Sequence, residues 1–119
     1  MTVQECYERI GGDYESVFGR FRKEDRIKKF VFRFPADKSF ETLCASFESG
    51  NMEEAFRAAH TLKGVSQNLS FDRLYKSSHE ITEALRAENR EDVEALLPRV
   101  REDYELTVST IQALQAEEA

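Results

Sequence analysis

The chain has 119 residues, 40% apolar and 34% charged, and 17 Lys and Arg against 23 Asp and Glu give a net charge of −6. These values fit one soluble globular domain with a self-sufficient core, and they exclude a disordered chain. The acidic excess argues against a nucleic-acid binder or an anionic-membrane surface, and only five Gly and two Pro argue against an all-β fold.

The first 20 residues predict a short helix around Val3, Cys6, Tyr7 and Ile10. Gly11-Gly12 breaks it, and Asp13 can cap a second short helix carrying Tyr14, Val17, Phe18 and Phe21. From Glu24 to about Ser49 the apolar positions are Ile27, Phe30, Val31 and Phe34, then Phe40, Leu43, Cys44 and Phe47. Their steps are helical, and Pro35 should kink this helix or split it in two. Gly50 suits a left-handed helix end, and Asn51 with Glu54 reads as a capping-box-like pair.

The next helix places Met52, Ala55, Ala59, Leu62, Ser66 and Leu69 on a narrow bundle seam. Ser70 is the expected N-cap of a helix whose seam is Phe71, Leu74, Ser78, Ile81 and Leu85. Asn89 should cap a long last helix carrying Val93, Leu97, Val100, Tyr104, Val108, Ile111 and Leu114, kinked at Pro98. Short loops between long amphipathic helices mean antiparallel neighbours. The expected fold is therefore all-α: an up-down four-helix bundle over residues 24–115, with a short N-terminal helical extension over residues 1–23. Residues 1–119 are read as a single domain.

No run has the length or apolarity of a transmembrane helix. Thr2 to Glu8 lacks the charged and apolar regions of a signal peptide, so a cytoplasmic protein is expected. Cys6 and Cys44 lack any CxxC or neighbouring His. They are expected as buried core thiols rather than metal ligands.

On the helix from Asn51 to Leu69, His60, Lys63, Gly64 and Gln67 share one narrow arc facing away from the core seam. A solvated or structural histidine is one reading. The other is chemical. A mid-helix Gly costs about 1 kcal/mol against Ala, and Gly64 clears space one turn above His60. Lys63 sets a cation within a turn of the imidazole, and Phe56 adds an apolar group one turn below. A nucleophile, a cation and a cleared approach suit phosphoryl transfer to a side chain. Gly64 could equally serve close helix packing, and Lys63 could be a solvated charge.

The stretch Ala58-Ala59-His60-Thr61-Leu62-Lys63-Gly64 carries an HxLKG motif. It resembles histidine phosphotransfer (HPt) domains of two-component phosphorelays, and the likeness extends over roughly Glu24 to Leu114. The resemblance implies that His60 is the phospho-accepting residue. It implies that Lys63 helps neutralise the phosphoryl group and that Gly64 admits the partner's aspartate. Thr82, on the next helix, would bond the other ring nitrogen and fix the tautomer. Val65 and Ser70 depart from the small residue and the Gly common in the family.

Other motifs carry less. His79 opens an HExxE, not the HExxH of zinc proteases, and neither histidine has the Glu three residues before it that di-iron bundles use. There is no P-loop and no nucleotide-binding glycine loop, so the chain reads as a phosphohistidine carrier and not a kinase. No cofactor is expected on it, and Mg2+ is expected on the receiver partner. The expected partners are a response-regulator receiver domain and a sensor or hybrid histidine kinase, with a monomeric chain. Phe56 should form the docking core, with Arg57 the best-placed cation of a basic rim. The alternative is an HPt-like bundle that only binds a receiver or kinase, as a scaffold or inhibitor.

Overall fold

The computed structural model describes residues 1–118, and these form seven α-helices and one short 3-10 turn, with no strand among the described residues. Helix α1 spans Val3–Ile10, α2 Tyr14–Phe21, α3 Glu24–Val31, α4 Ser39–Glu48, α5 Met52–Asn68, α6 Asp72–Arg86 and α7 Arg90–Glu117.

Local chemistry sets most of the boundaries. Thr2 and Glu5 close a reciprocal capping box on α1, and Gly11 ends it at φ 71°. Gly12 is required by a close approach: a Cβ there would lie 2.7 Å from the Tyr7 ring and 2.9 Å from the Ser70 carbonyl oxygen. Asp13 caps α2 through the Ser16 N–H. Pro35 splits the third segment rather than bending it. The 3-10 turn Phe34–Ala36 holds it, and Asp37 is extended before α4 begins. Proline has no N–H for a helical ladder and disfavours helical backbone in the residue before it. The fourth member of the bundle is thus α4 alone, while α3 packs beside α2.

Two of the expected caps differ. Asn51 Oδ1 accepts from the Glu54 N–H at 3.1 Å. The reciprocal arm is missing, because the Asn51 N–H donates to the Ser46 carbonyl at 2.8 Å instead. Ser70 is not the N-cap of α6. That place falls to Phe71, with no side-chain cap, while Ser70 sits in the left-handed region at φ 56°. Its hydroxyl turns away from α6 and donates to Ser16 Oγ at 3.0 Å. Ser70 therefore makes the turn that a Gly makes more easily.

Helices α4, α5, α6 and α7 run up and down in sequence, each packed along its predecessor across a short connection. Ala55, Ala58 and Ala59 let α5 lie close between its neighbours, and all three are buried. The α4–α7 side is closed by large side chains: Phe40 stacks on Tyr104 at 4.6 Å, with the Arg101 guanidinium 5.2 Å over Phe40. Helix α1 covers α7. Its core face of Val3, Cys6, Tyr7 and Ile10 joins the same hydrophobic cluster as the bundle.

The α7 stripe differs from expectation. Leu97, Tyr104 and Val108 are only half-buried, whereas Asp103, Thr107 and Thr110 are buried. Packing by α1 as well as the bundle shifts the covered face, and Thr107 satisfies its hydroxyl on the Asp103 carbonyl at 2.7 Å. The helix continues unbroken through Pro98, which is exposed. Cys6 is fully buried as expected, but Cys44 is half-buried against Arg101, with 3.5 Å from the guanidinium to Sγ.

Candidate histidine site

Helix α5 starts cleanly at Asn51 and turns its small and apolar residues inward, so the opposite flank is fixed by default. That flank carries His60, Gly64 and Gln67, all exposed, with Lys63 half-buried beside them. The Phe56 ring lies one turn before His60, at 6.0 Å between ring centroids. Phe56 is half-buried, and the Arg86 guanidinium from α6 lies 5.0 Å over its ring. Phe56, Arg57, His60, Thr61 and Arg86 line one shallow hollow.

Gly64 decides between two explanations for a mid-helix glycine. A Cβ built there meets nothing within 4 Å. Packing within the chain does not ask for glycine at this position, yet helix propensity opposes it by about 1 kcal/mol. The open space lies one turn beyond His60, on the same face. It leaves the imidazole approachable from outside.

The surrounding charges are mixed. Arg57 is exposed but engaged, with Glu53 at 2.5 Å and Glu54 at 3.6 Å. Such exposed pairs are weak, so a partner carboxylate can compete for the guanidinium. Arg86 was not singled out from sequence. It bonds Glu83 at 3.1 Å, and that bond holds the Glu83 carboxyl below the usual carboxylate range, with smaller contributions from His79 and Lys63. Arg86 follows Thr82 by one helical turn on the flank of α6 beside α5. That spacing was readable, but the choice of flank needs the fold.

The expected bond from Thr82 to His60 is not made. Thr82 is fully buried, and its hydroxyl donates to the Ser78 carbonyl one turn earlier, at 2.6 Å. A short β-branched side chain in a helix reaches its own backbone more readily than a ring on the next helix. His79 stands apart: its ring stacks on Tyr75 at 5.9 Å, and its buried Nδ1 has no hydrogen-bond partner among the described residues.

The C-terminal end of α5 is held by the N-terminal helices. Tyr7 Oη donates to the Leu69 carbonyl at 2.8 Å, and the Asp13 N–H donates to the Ser70 carbonyl at 2.9 Å. Arg20 donates to the Asn68 carbonyl. These groups satisfy carbonyls that a helix end leaves free, and the cation offsets the negative end of the helix dipole.

Fold and flank together define a small helical bundle with an exposed imidazole, a neighbouring lysine and a cleared approach on one face. The family model of the Hpt domain matches residues 31–116, and the chain belongs to the Hpt domain family. No curated protein and no solved structure matches it. Hpt domains are phosphocarriers of phosphorelay signalling that work with receiver domains and histidine kinases, without ATP sites of their own. Among the described residues, no helix is long and apolar enough to cross a membrane.

Proposed function

We propose that the chain is a phosphorelay intermediate that accepts a phosphoryl group on His60 from a receiver aspartate and passes it to a second receiver. The observation that carries this reading is the exposed His60 beside a Gly64 whose missing side chain serves no contact within the fold. A phosphorylated receiver docks over Phe56 and His60. The lone pair of the neutral imidazole attacks phosphorus in line. The N–P bond forms as the P–O bond to the receiver aspartate breaks, and that carboxylate leaves with the electron pair. Lys63 offsets charge on the equatorial oxygens, and Gly64 admits the aspartate. Gln67 and Arg57 border the docked partner. The metal ion belongs to the receiver, and the chain acts as a monomer in the cytoplasm.

A receiver loaded with labelled phosphate should pass acid-labile, base-stable label to this chain. Absence of label, or label that persists in His60→Gln, refutes the proposal. A binding-only bundle is the second reading. It draws on Thr82, whose bond to Ser78 leaves the His60 ring without an anchor from that residue. A stable complex without transfer would establish it.

A further inference from the structure

The acidic excess of the whole chain is an average, and the fold concentrates its opposite on one helical hairpin. Residues 20–30 hold six Lys and Arg against two acidic residues, whereas the remaining residues hold 11 against 21. Two of the six cations are engaged: Arg20 donates to the end of α5, and Lys28 pairs with Glu118 at 2.6 Å. The other four, Arg22, Lys23, Arg26 and Lys29, are exposed and make no ion pair among the described residues.

The same hairpin, α2 and α3, carries the only large apolar side chains that stand exposed among the described residues, Phe18 at 41% and Phe30 at 38%. Phe18 and Phe21 are one turn apart on α2, and Phe21 stacks on Phe30 at 5.0 Å. The three rings form one strip across the hairpin. On an α3 wheel at about 100° per residue with Phe30 at zero, Arg26 falls at about −40° and Lys29 at about −100°. The buried Ile27 and Val31 fall at about +60° and +100°, and the acidic Glu24 and Asp25 at about +120° and −140°. Phe30 thus stands at the border between the core face and a flank of cations, with the acidic residues turned away from it. All of these residues except Val31 precede residue 31, where the family match begins. Family membership therefore does not account for the strip. Nor does the core, because exposed rings grouped in this way mark a contact surface.

We infer that the α2–α3 hairpin is an attachment site for an anionic phospholipid surface. Phe18 and Phe30 enter the boundary between headgroups and acyl chains, and Arg22, Lys23, Arg26 and Lys29 meet lipid phosphates. Charge complementarity commits the site to an anionic partner. Two features commit it to a lipid plane. The four cations are held in no ion pair, so they offer mobile charge on long stems rather than a fixed fork aimed at one carboxylate. The acidic remainder of the chain gives the molecule a charge asymmetry that turns the hairpin toward an anionic plane and the rest away from it. The attachment is peripheral and reversible, and it is independent of the chemistry at His60.

The test is sedimentation of the full chain with vesicles of phosphatidylglycerol and phosphatidylcholine, or of phosphatidylcholine alone, in about 0.1 M salt. Binding is expected on the anionic vesicles only. Arg26→Glu combined with Lys29→Glu should weaken it about thirtyfold, whereas Arg99→Glu, an exposed change on α7, should weaken it by no more than about threefold. Phe18→Ser, checked for folding by circular dichroism, should weaken it about tenfold. The chain has no Trp, so emission from Phe18→Trp reports depth: it should shift to the blue on anionic vesicles and be quenched by brominated lipid. No binding to anionic vesicles overturns the inference. Binding that ignores Phe18→Ser, or that falls equally in Arg99→Glu, is adsorption of charge without a site and overturns it too. Self-association that Phe18→Ser and Phe30→Ser abolish, without vesicle binding, assigns the strip to a second copy of the chain and refutes the lipid surface.

Discussion

Substituting Gly64 should separate stability from function. A Cβ at this position meets nothing within 4 Å, so Gly64→Ala introduces no clash. It removes a helix-propensity penalty of about 1 kcal/mol and narrows the unfolded ensemble in the same direction. For 119 residues, an unfolding entropy of about 2.1 cal/mol/K per residue sums to about 250 cal/mol/K. One kcal/mol then raises Tm by about 4 °C. Gly64→Gln should also stabilise, since Gln is a good helix former, but its side chain extends over the face of His60. Thermal unfolding followed by circular dichroism reads the first effect. Transfer from a labelled receiver reads the second, where Gln should slow transfer by at least tenfold and Ala by less. A lower Tm for Gly64→Ala would show that packing requires the glycine. Wild-type transfer in Gly64→Gln would show that the space is not used. Either result refutes the reasoning.

Three further outcomes follow. Tyr7→Phe strips the only side-chain donor among the described residues from the buried Leu69 carbonyl and should cost about 1–3 kcal/mol in urea denaturation, whereas a null effect would mean that water replaces the hydroxyl. Thr82→Val keeps the shape of a buried side chain bonded to its own helix, so transfer to His60 should stay within about twofold of wild type by the rationale that its hydroxyl is engaged elsewhere. A large loss would restore Thr82 as the ring's anchor. Burial pushes the Cys6 thiol up to about 11 from an ordinary 9. Between those values the unfolded chain has lost a proton that the folded chain keeps. Folding therefore weakens as pH rises, by at most about 1.4 kcal/mol per pH unit from this group. Urea midpoints from pH 8 to pH 10.5 should fall less steeply for Cys6→Ala than for wild type, and parallel slopes would contradict the assignment.

Boundaries marked by a residue with its own backbone chemistry were legible from sequence. Asp13, Asn51 and Asn89 each cap the helix they were expected to cap, because an N-cap is settled within three residues. The α5 seam was legible for a similar reason: one uninterrupted period with small residues inside. Ser70 was misread because its local preference for capping loses to a turn that needs positive φ and to a hydroxyl partner on α2, 54 residues earlier in sequence. The α7 stripe was misread because α1 covers part of that helix, and no pattern within α7 announces it. The site divides the same way. The arc of His60, Lys63, Gly64 and Gln67 belongs to one helix and could be read from spacing. The involvement of Arg86 and the disengagement of Thr82 depend on how α6 lies against α5.

The bonds from Tyr7, Asp13 and Arg20 to the end of α5 bear on how portable the histidine hairpin is. The family model begins at residue 31, but three acceptors at the α5–α6 turn draw their donors from the first 20 residues. A hairpin of α5 and α6 transplanted into another bundle would arrive with those carbonyls bare and the Phe71 ring missing its Tyr7 neighbour at 5.6 Å. Any chimera that exchanges phosphotransfer modules at the family boundary must carry α1 and α2 along, or rebuild a hydroxyl, an amide and a guanidinium at that turn.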